Sequence, residues 1–302
     1  SNSNLGGLQS IKSKKNLEII YGDVRDFDSI NKAIKGSDYI INLAAMISVP
    51  YSFENPQSFV DTNVLGLLNI IRSANLNKKK IKKIVQISSS EVYGNLMSKG
   101  KTNLLETDIL KSESPYAASK ISSDHLAISM YKALNLPIVV ARPFNTFGPR
   151  QSLRAVIPTI ICQFLKPKNN KADIKIGSTS TKRDFVYVKD TVNGLIKIML
   201  NRTNSGEIYN IATNNSHKVS DVIKYISQIT KIQPQLKIKK QRKRDSEVYE
   251  LKGSNQKLYK STGWKPKYLN KNGFKLALRE TLLWFEKKEN MKHYNNVDSY
   301  HI

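Results

Sequence analysis

The stretch LEIIYGDVRDFDSINKAIKGSDYIINLAA (residues 17–45) contains two short apolar runs on either side of a helical pattern. Residues 17–21 and 39–44 have the composition of strands, and the second run is apolar enough to be buried. Between them we expect a short helix that Asp28 caps and Gly36 closes. A strand, a helix and a second strand in this order predict a parallel α/β sheet.

The same alternation continues towards the C-terminus. Strands are predicted at 84–88 and 137–142, on either side of a helix at 116–134. A long helix predicted at 56–75 has one apolar face, which consists of Phe59, Val60, Val64, Leu67, Leu68 and Ile71. We therefore expect an α/β fold with a doubly wound parallel sheet.

Beyond residue 150 the alternation becomes irregular, which indicates a second domain. We predict a sheet domain at 1–150, a smaller interleaved α/β domain at 151–287 and a polar tail at 288–302. Segments near 185–212 are expected to return to the sheet.

The composition limits the class of protein. A chain of 302 residues can bury a substantial core. The single cysteine, Cys162, excludes an intramolecular disulfide and a zinc site built from several thiolates, and it fits a reducing cytoplasm. No apolar run is long enough to span a bilayer, and nothing near the start resembles a signal peptide. We expect a soluble, cytoplasmic protein with no membrane partner.

The formal net charge is +25, from 49 basic and 24 acidic residues. Such an excess of positive charge attracts phosphate groups and would suit a nucleic-acid partner. However, Lys and Asn are abundant throughout, and the densest basic runs, 78–80 and 237–244, are not interleaved with aromatic side chains that would stack on bases. We expect no nucleic-acid partner and keep a basic nucleic-acid binder as an alternative.

Ligands of a parallel sheet bind at the carboxyl ends of its strands. Four successive predicted strands end at Asp23, Ala44-Ala45, 88–91 and 143–145. Because these ends meet at one edge of the sheet, we expect them to surround one crevice.

Tyr116 and Lys120 are four positions apart, so a helix places both side chains on one face. The ammonium favours a phenolate and is expected to lower the pKa of Tyr116 from about 10 towards the working pH. Such a tyrosine can exchange a proton with a substrate hydroxyl while a hydride moves to a nicotinamide. By itself this spacing is more often structural than catalytic.

The sequence SSSEVYG at 88–94 follows a predicted strand. Its hydroxyls and the Glu91 carboxylate could contact a sugar carbonyl and the carbon next to it. The alternative is a serine-rich turn with a solvated glutamate. The position at a strand end, beside Tyr116 and Lys120, favours the functional interpretation.

Several motifs together resemble those of the extended short-chain dehydrogenase/reductases that modify nucleotide sugars, the NAD-dependent epimerase/dehydratase family. They are GDV at 22–24, NLAA at 42–45, DTNVLG at 61–66, SSEVYG at 89–94, YAASK at 116–120, RPFNTFGPR at 142–150 and RDF at 183–185. The resemblance runs from about residue 17 to residue 285. It implies a Rossmann-type doubly wound parallel sheet with a nucleotide-sugar-binding domain.

Within that family the chain is most similar to the 4,6-dehydratases, above all the N-acetylglucosamine-nucleotide 4,6-dehydratases of the legionaminic acid pathway. The stretches ISVPYS at 47–52 and RQSLRAVIP at 150–158 resemble theirs. The dehydratase assignment depends mainly on Glu91. The implied reaction converts a nucleotide-linked hexose to its 4-keto-6-deoxy derivative by internal hydride transfer.

The resemblance also implies the catalytic roles. Tyr116, held by Lys120, would take the proton from the hydroxyl on sugar carbon 4, and Ser89 would hydrogen-bond that oxygen. Glu91 would then remove the proton from carbon 5. Ser90 or Glu91 would protonate the hydroxyl that leaves carbon 6 as water.

The resemblance implies NAD as the cofactor and leaves NADP open. The implied cofactor contacts are Asp23, Val24, Leu43, Ala44, Ala45, Asn63, Ser88, Tyr116, Lys120 and Pro143. The implied substrate contacts are Ser52, Asn145, Arg154, Arg183 and Arg242. Arginine suits a nucleotide diphosphate because its guanidinium pairs with two phosphate oxygens. No metal is expected.

The chain departs from the family pattern in two places. The family begins with a strand, a Gly-x-x-Gly-x-x-Gly turn and a helix that together cradle the cofactor diphosphate. That unit is missing, Gly6-Gly7 is expected to form only a turn, and the chain opens at Ser1 without an initiator Met. We therefore expect a truncated N-terminus and weak cofactor binding.

The segment RKRDSEV at 242–248 resembles the family's nucleotide-binding arginine segment but is shortened and lacks its proline, which leaves the role of Arg242 open.

Other functions remain open at this point. A nucleotide-sugar decarboxylase also pairs a hydroxyl residue with glutamate at the positions of Ser90 and Glu91, although its tyrosine motif differs at 117–119. A 4-epimerase needs no base at Glu91. A binding module that lost its cofactor turn would be inactive.

The resemblance further implies a homodimer through the helices that start near Pro56 and Tyr116.

Overall fold

The computed structural model describes Leu8 and residues 15–95, 101–201, 204–239 and 248–291. The α-helices are α1 (Phe27–Ile34), α2 (Val49–Glu54), α3 (Pro56–Phe59), α4 (Gly66–Leu76), α5 (Pro115–Leu134), α6 (Val156–Phe164), α7 (Val188–Leu200), α8 (Val219–Thr230), α9 (Gln256–Thr262), α10 (Lys271–Glu286) and α11 (Lys288–Met291). A π-helix (Val60–Leu65) joins α3 to α4, and a 3₁₀-helix covers Ser90–Tyr93. The strands are β1 (Tyr39–Asn42), β2 (Lys83–Ile87), β3 (Ile138–Pro143), β4 (Asn145–Phe147), β5 (Lys171–Ile176), β6 (Lys182–Arg183), β7 (Phe185–Tyr187), β8 (Ile208–Ile211), β9 (His217–Lys218), β10 (Gln233–Ile238) and β11 (Glu250–Leu251).

Four strands form the main sheet in the order β1-β2-β3-β8, and each neighbouring pair is parallel. Parallel neighbours need crossover connections, which α2 to α4 provide between β1 and β2, and α5 between β2 and β3. The late strand β8 extends the same sheet beside β3. The predicted parallel α/β fold is confirmed.

Side chains of the sheet alternate between two apolar cores. Ile84, Ile138 and Val140 belong to a core that includes residues of α4 and α5. Their chain neighbours Val85 and Val139 belong to a second core, which includes residues of α7. Because helices cover both faces, the strands are apolar on both sides.

A third core joins α6, β5, α8 and α10. Cys162 is buried there, and burial raises the pKa of its thiol to about 11, so it stays protonated at neutral pH. The domain boundary near residue 150 remains a prediction. None of the described helices is long and apolar enough to cross a membrane.

Two local predictions near the start of the chain are wrong. Residues 17–21 form no strand, because they pair with no other strand in the described part of the chain. An extended segment without a neighbour gains no ladder hydrogen bonds. The cap of α1 is Asp26, whose carboxylate accepts a hydrogen bond from the backbone N–H of Asp28. Gly36 does follow this helix, with a φ of 85°, in the left-handed region that commonly closes helices.

The helix predicted at 56–75 is interrupted by the π-helix. A π turn contains an extra residue, so it rotates every later side chain relative to the earlier ones. In an unbroken α-helix Val60 and Leu67 would share one face. Instead Leu67 is fully buried and Val60 is 43% exposed. The predicted apolar face is therefore wrong at Val60, whereas Phe59 and Ile71 are buried.

We expect the π-helix to make positions 60 and 67 energetically unequal. Leu67→Ala should lower the free energy of unfolding by about 2–5 kcal/mol, because it removes a fully buried side chain. The control Val60→Ala should cost less than about 1 kcal/mol, because the side chain is already partly hydrated. Urea unfolding measures both values. Equal losses would contradict the π-helix, since a continuous α-helix would bury both side chains.

Candidate active site

The carboxyl ends of β1, β2 and β3 meet at one edge of the sheet because these strands are parallel neighbours. The segments that follow them begin at Leu43, Ser88 and Phe144. A hydrogen bond of 2.7 Å from Asn42 Nδ2 to Gln86 Oε1 joins the first two strand ends. The structure thus brings together three of the four segments that the sequence placed around one crevice.

The fourth segment, Asp23 with Val24, lies in a turn. The Asp23 carboxylate binds the Arg25 guanidinium, with Nη2 and Oδ2 2.6 Å apart, and this pairing lowers the pKa of Asp23 to about 2. Asp23 and Arg25 line a shallow concavity together with Asp61 of the π-helix. Val24 Cγ2 lies 2.8 Å from where a Cβ at Gly66 would be, so only glycine lets this turn pack so closely on α4.

The helix α5 carries Tyr116 and Lys120 into the interior. Ser114 caps its first turn. Both side chains lie on the buried face, with exposures of 7% for Tyr116 and 3% for Lys120. The Lys120 ammonium donates to the carbonyl of Ile87, the last residue of β2, at 2.9 Å. The pair is thereby held at a strand end.

Burial dominates the acid–base properties of this pair. It raises the pKa of Tyr116 to about 12 and lowers that of Lys120 to about 8, because both charged forms lose hydration. The negative charge of Glu91 also raises the pKa of Tyr116. The predicted lowering of the Tyr116 pKa by Lys120 is therefore wrong for the protein by itself. At neutral pH Tyr116 is a neutral phenol and Lys120 is a cation.

A hydroxyl and a carboxylate accompany the Tyr116 phenol. The Ser89 hydroxyl lowers the pKa of the Tyr116 phenol, against the larger effect of burial. Ser89 Oγ also accepts the backbone N–H of Glu91 at 3.2 Å and so caps the 3₁₀-helix. Ser90 is only 3% exposed, whereas Glu91 is half-buried. The structure thus groups Ser89, Glu91, Tyr116 and Lys120 at the end of β2.

Asn63 joins two parts of the site. Its amide oxygen accepts the backbone N–H of Met46 at 2.8 Å, and its amide nitrogen donates to the Met46 carbonyl at 3.1 Å and to Ser119 Oγ at 2.8 Å. Its own carbonyl accepts from Ser123 Oγ at 2.8 Å. Asn63 therefore connects the loop after β1 to α5, and protein groups already occupy its side chain.

The other predicted cofactor contacts differ in accessibility. Leu43 and Ala44 are exposed at the end of β1, and Ala45 and Pro143 are half-buried. Ser88 is buried, and its hydroxyl acts on the Asp124 carboxylate, whose pKa it lowers.

Two predicted substrate contacts are brought close together. Asn145 begins β4 and is the register partner of Phe185 on β7, so it lies beside the segment that carries Arg183. The Asn145 side-chain oxygen is buried and accepts no hydrogen bond from the described residues. Arg183 is half-buried and donates to the carbonyls of Lys182 and Tyr249.

For the three remaining substrate candidates, the structure shows no such close arrangement. Ser52 is fully buried, and its hydroxyl donates to the Val49 carbonyl at 2.6 Å, so it presents no surface to a ligand in this structure. Arg154 is exposed. Arg242 lies outside the described residues.

Comparison with known proteins identifies the family. A family model described as GDP-mannose 4,6 dehydratase matches residues 1–276 of this chain. The chain belongs to the GDP-mannose 4,6-dehydratase family. It is 30% identical over 238 residues to the dTDP-D-glucose 4,6-dehydratase of Dictyostelium discoideum, and the match covers 76% of this chain and 54% of that protein. The chain therefore spans about half the length of that relative.

Solved structures agree with this family assignment. The structure of RMD from Pseudomonas aeruginosa complexed with NADPH has a TM-score of 0.78 at 26% identity and covers 88% of this chain and 87% of its own. The UDP-glucose 4-epimerase of Thermus thermophilus in complex with NAD has a TM-score of 0.79 at 25% identity and covers 91% of this chain and 86% of its own. Dehydratases and an epimerase share the family fold, so the reaction has to be argued from the site.

Asp184 is a site residue whose role the sequence did not reveal. Its fully buried carboxylate accepts the Thr213 N–H at 3.0 Å, the Thr213 hydroxyl at 2.6 Å and the Gly253 N–H at 3.3 Å. It thus ties the segment around Arg183 to two loops. In the sequence, only the RDF motif at 183–185, which resembles the family's, pointed to Asp184. Among the described residues, no cluster of His, Cys, Asp and Glu could hold a metal ion.

Asp184 should make the stability of the fold depend on pH. Burial raises its pKa to about 7, above the value of about 3.9 in an unfolded chain. The resulting stabilisation, on the order of 4 kcal/mol, is complete below about pH 4 and is lost as the pH rises through about 7. Asp184→Asn stays neutral and should lack this dependence. Urea unfolding across this pH range measures it.

The control is Asp173→Asn. It removes an exposed carboxylate whose pKa Lys237 lowers, so it should leave the pH dependence above about pH 5 unchanged. Identical pH dependence in the wild-type protein and Asp184→Asn would show that the pKa of Asp184 is the same in the folded and the unfolded protein.

Proposed function

We propose that the chain is a nucleotide-sugar 4,6-dehydratase that works through a nicotinamide cofactor, NAD or NADP. The substrate we propose is a nucleoside-diphosphate N-acetylglucosamine, and the product is its 4-keto-6-deoxy derivative. The observation that carries the proposal is the packing of α5, which holds Tyr116 and Lys120 on its buried face, against the 3₁₀-helix that contains Glu91 and is capped by Ser89. A phenol, a hydroxyl and a carboxylate are the groups that oxidation at carbon 4 and elimination across carbons 5 and 6 require.

The residues present fit one end of the cofactor better than its middle. At the nicotinamide end, Ser88 and the Lys120 ammonium lie together at the end of β2, on the buried side of α5. Tyr116, Lys120 and Pro143 would hold this part, and Asp23 and Val24 would contact the adenosine. The sequence contains no Gly-x-x-Gly-x-x-Gly turn for the diphosphate.

When bound, a nicotinamide would supply the hydride chemistry that the reaction needs, namely removal of a hydride from sugar carbon 4 and its return to carbon 6. Tyr116, once ionised to the phenolate, would take the proton from the carbon 4 hydroxyl, and Ser89 would hydrogen-bond the same oxygen. The positive charge of Lys120 favours the phenolate that this proton transfer needs. The product of this stage is a ketone at carbon 4.

The ketone makes the proton on carbon 5 acidic, and Glu91 removes it. The same carboxyl then protonates the hydroxyl on carbon 6, which leaves as water. Glu91 suits this step better than Ser90, because Ser90 is almost fully buried and a hydroxyl is a far weaker acid. The balance closes when carbon 6 regains the hydride and carbon 5 receives the proton that Tyr116 took from the carbon 4 hydroxyl, so the net change would be the loss of water.

Glu91→Gln should abolish the 4-keto-6-deoxy product, with a loss of at least about 100-fold in its rate of formation. Oxidation at carbon 4 should remain, because it depends on Tyr116 and Lys120. The measurement is chromatography of the sugar products together with the absorbance of reduced nicotinamide. Glu54→Gln, an exposed carboxylate on α2, is the matched control and should behave as wild type. A near wild-type rate in Glu91→Gln would mean that the reaction is not this dehydration.

The substrate is tested with a panel of nucleotide sugars. We expect conversion of UDP-, GDP- or dTDP-linked N-acetylglucosamine in preference to dTDP-glucose and GDP-mannose, measured as kcat/KM in the presence of NAD or NADP. Preference for dTDP-glucose or GDP-mannose would overturn the proposed sugar and keep the reaction. Binding of nucleotide sugars without conversion of any would indicate an inactive binding module.

A further inference from the structure

The buried face of α5 continues one turn beyond the catalytic pair. Tyr116, Lys120 and Asp124 follow one another at intervals of four residues, so they share that face. Asp124 is only 1% exposed. A carboxylate in the interior requires charged or hydrogen-bonding partners.

One oxygen of Asp124 has such a partner. Arg142 of β3 donates from Nε to Asp124 Oδ2 at 2.9 Å, and both side chains are 2% exposed. Arg142 also donates from Nη1 to the Tyr93 hydroxyl at 3.0 Å, and its guanidinium lies 5.1 Å from the centre of the Tyr93 ring. Because a guanidinium stays protonated in proteins, it stabilises the carboxylate form of Asp124.

The second oxygen, Asp124 Oδ1, is buried and accepts no conventional hydrogen bond from the described residues. The Ser88 hydroxyl and the Lys120 ammonium both act on this carboxylate, and both lower its pKa against the effect of burial. Ser88 directly follows Ile87, the residue whose carbonyl accepts the Lys120 proton at 2.9 Å. The second oxygen of Asp124 is therefore not held by Arg142, and it belongs to a carboxylate that lies one helical turn from Lys120 on the same buried face of α5.

The charged groups around Lys120 indicate that Asp124 is the one that stabilises its ammonium form. Asp124 is the group whose charge raises the pKa of Lys120, in opposition to burial. On the elements packed against α5, the other charged side chains are Arg142, bound to Asp124, and Glu91, beside Tyr116. Three more lie on α2, the π-helix and α4, and all are at least partly exposed: Glu54, Asp61 and Arg72.

We propose that Asp124 is a positioning residue for the proposed dehydratase reaction: held by Arg142, its carboxylate keeps the Lys120 ammonium charged and in place next to Tyr116. Without this carboxylate, burial alone would act on Lys120, which would lose its proton at a lower pH. Tyr116 would then lack the cation that favours its phenolate. This role rests on the proposed function, but the ionisation of Lys120 can be measured without it.

The test compares Asp124→Asn with the wild-type protein. The Lys120 side chain is titrated by NMR in lysine-labelled protein, with Lys120→Met used to assign its signal. The wild-type midpoint is expected at about pH 8. In Asp124→Asn the midpoint should fall by at least about one pH unit, a tenfold weaker proton affinity. The alkaline limb of the kcat profile should move by the same amount, with kcat retained at lower pH.

Two controls separate charge from structure. Asp124→Glu keeps the carboxylate and should keep the midpoint near the wild-type value. Asp173→Asn removes one exposed carboxylate, which pairs with Lys237, and should leave the midpoint unchanged. If Asp124→Asn fails to fold, Asp124→Asn combined with Arg142→Gln is compared with Arg142→Gln, because the double variant leaves no uncompensated guanidinium in the interior and the comparison isolates the Asp124 charge.

A folded variant without the Asp124 charge that titrates Lys120 at the wild-type midpoint would overturn the proposal. A fall in kcat that is equal at every pH would also overturn it, because a merely structural role has that effect. If the wild-type protein converts no nucleotide sugar, the proposed function fails, and the NMR midpoints still decide the role of Asp124.

Discussion

The ion pair between Asp124 and Arg142 is the interaction on which the geometry of the site depends. It joins α5 to β3 in the interior, at an Nε–Oδ2 distance of 2.9 Å. Breaking such a pair leaves an uncompensated buried charge, which costs several kcal/mol, about 3–5 in comparable cases. Arg142 extends the connection to the Tyr93 hydroxyl, which donates to Asn210 Oδ1 on β8 at 2.7 Å. One polar network therefore fixes the helix of Tyr116, the 3₁₀-helix of Glu91 and the sheet relative to one another.

Burial has the same chemical effect on both members of the catalytic pair. It favours the neutral phenol of Tyr116 and the neutral amine of Lys120. Any charge in this site is therefore maintained by neighbouring groups and not by solvent. The local electrostatics come from the Ser89 hydroxyl, the carboxylates of Glu91 and Asp124, and the carbonyl of Ile87. This dependence explains how one fold can support several reactions through a few residues at the strand ends.

The sequence predicted the fold class from patterns with a direct physical basis. Short apolar runs that alternate with amphipathic helices can bury both faces of a sheet only when the strands are parallel and helices cover them. The same patterns placed Ala44-Ala45, 88–91 and 143–145 at neighbouring strand ends, and the helical spacing placed Tyr116 and Lys120 on one face. Each of these inferences needs only local periodicity and chain order.

The tertiary structure decided what periodicity cannot express. Residues 17–21 have the composition of a strand but no neighbour to pair with among the described residues, and the π-helix turns Val60 away from the interior. The sequence predicted a lowered pKa for Tyr116 from its spacing to a cation, whereas the desolvation that raises it comes from the packing around the ring. The pairings of Asp124 and Asp184 could not be predicted from the sequence, because their partners Arg142, Thr213 and Gly253 are distant in the chain. The sequence by itself determined the fold class and the local spacing of the catalytic candidates. Only the tertiary structure decided which side chains are buried and which pair over long distances in the chain. Both properties depend on residues brought together from different parts of the chain.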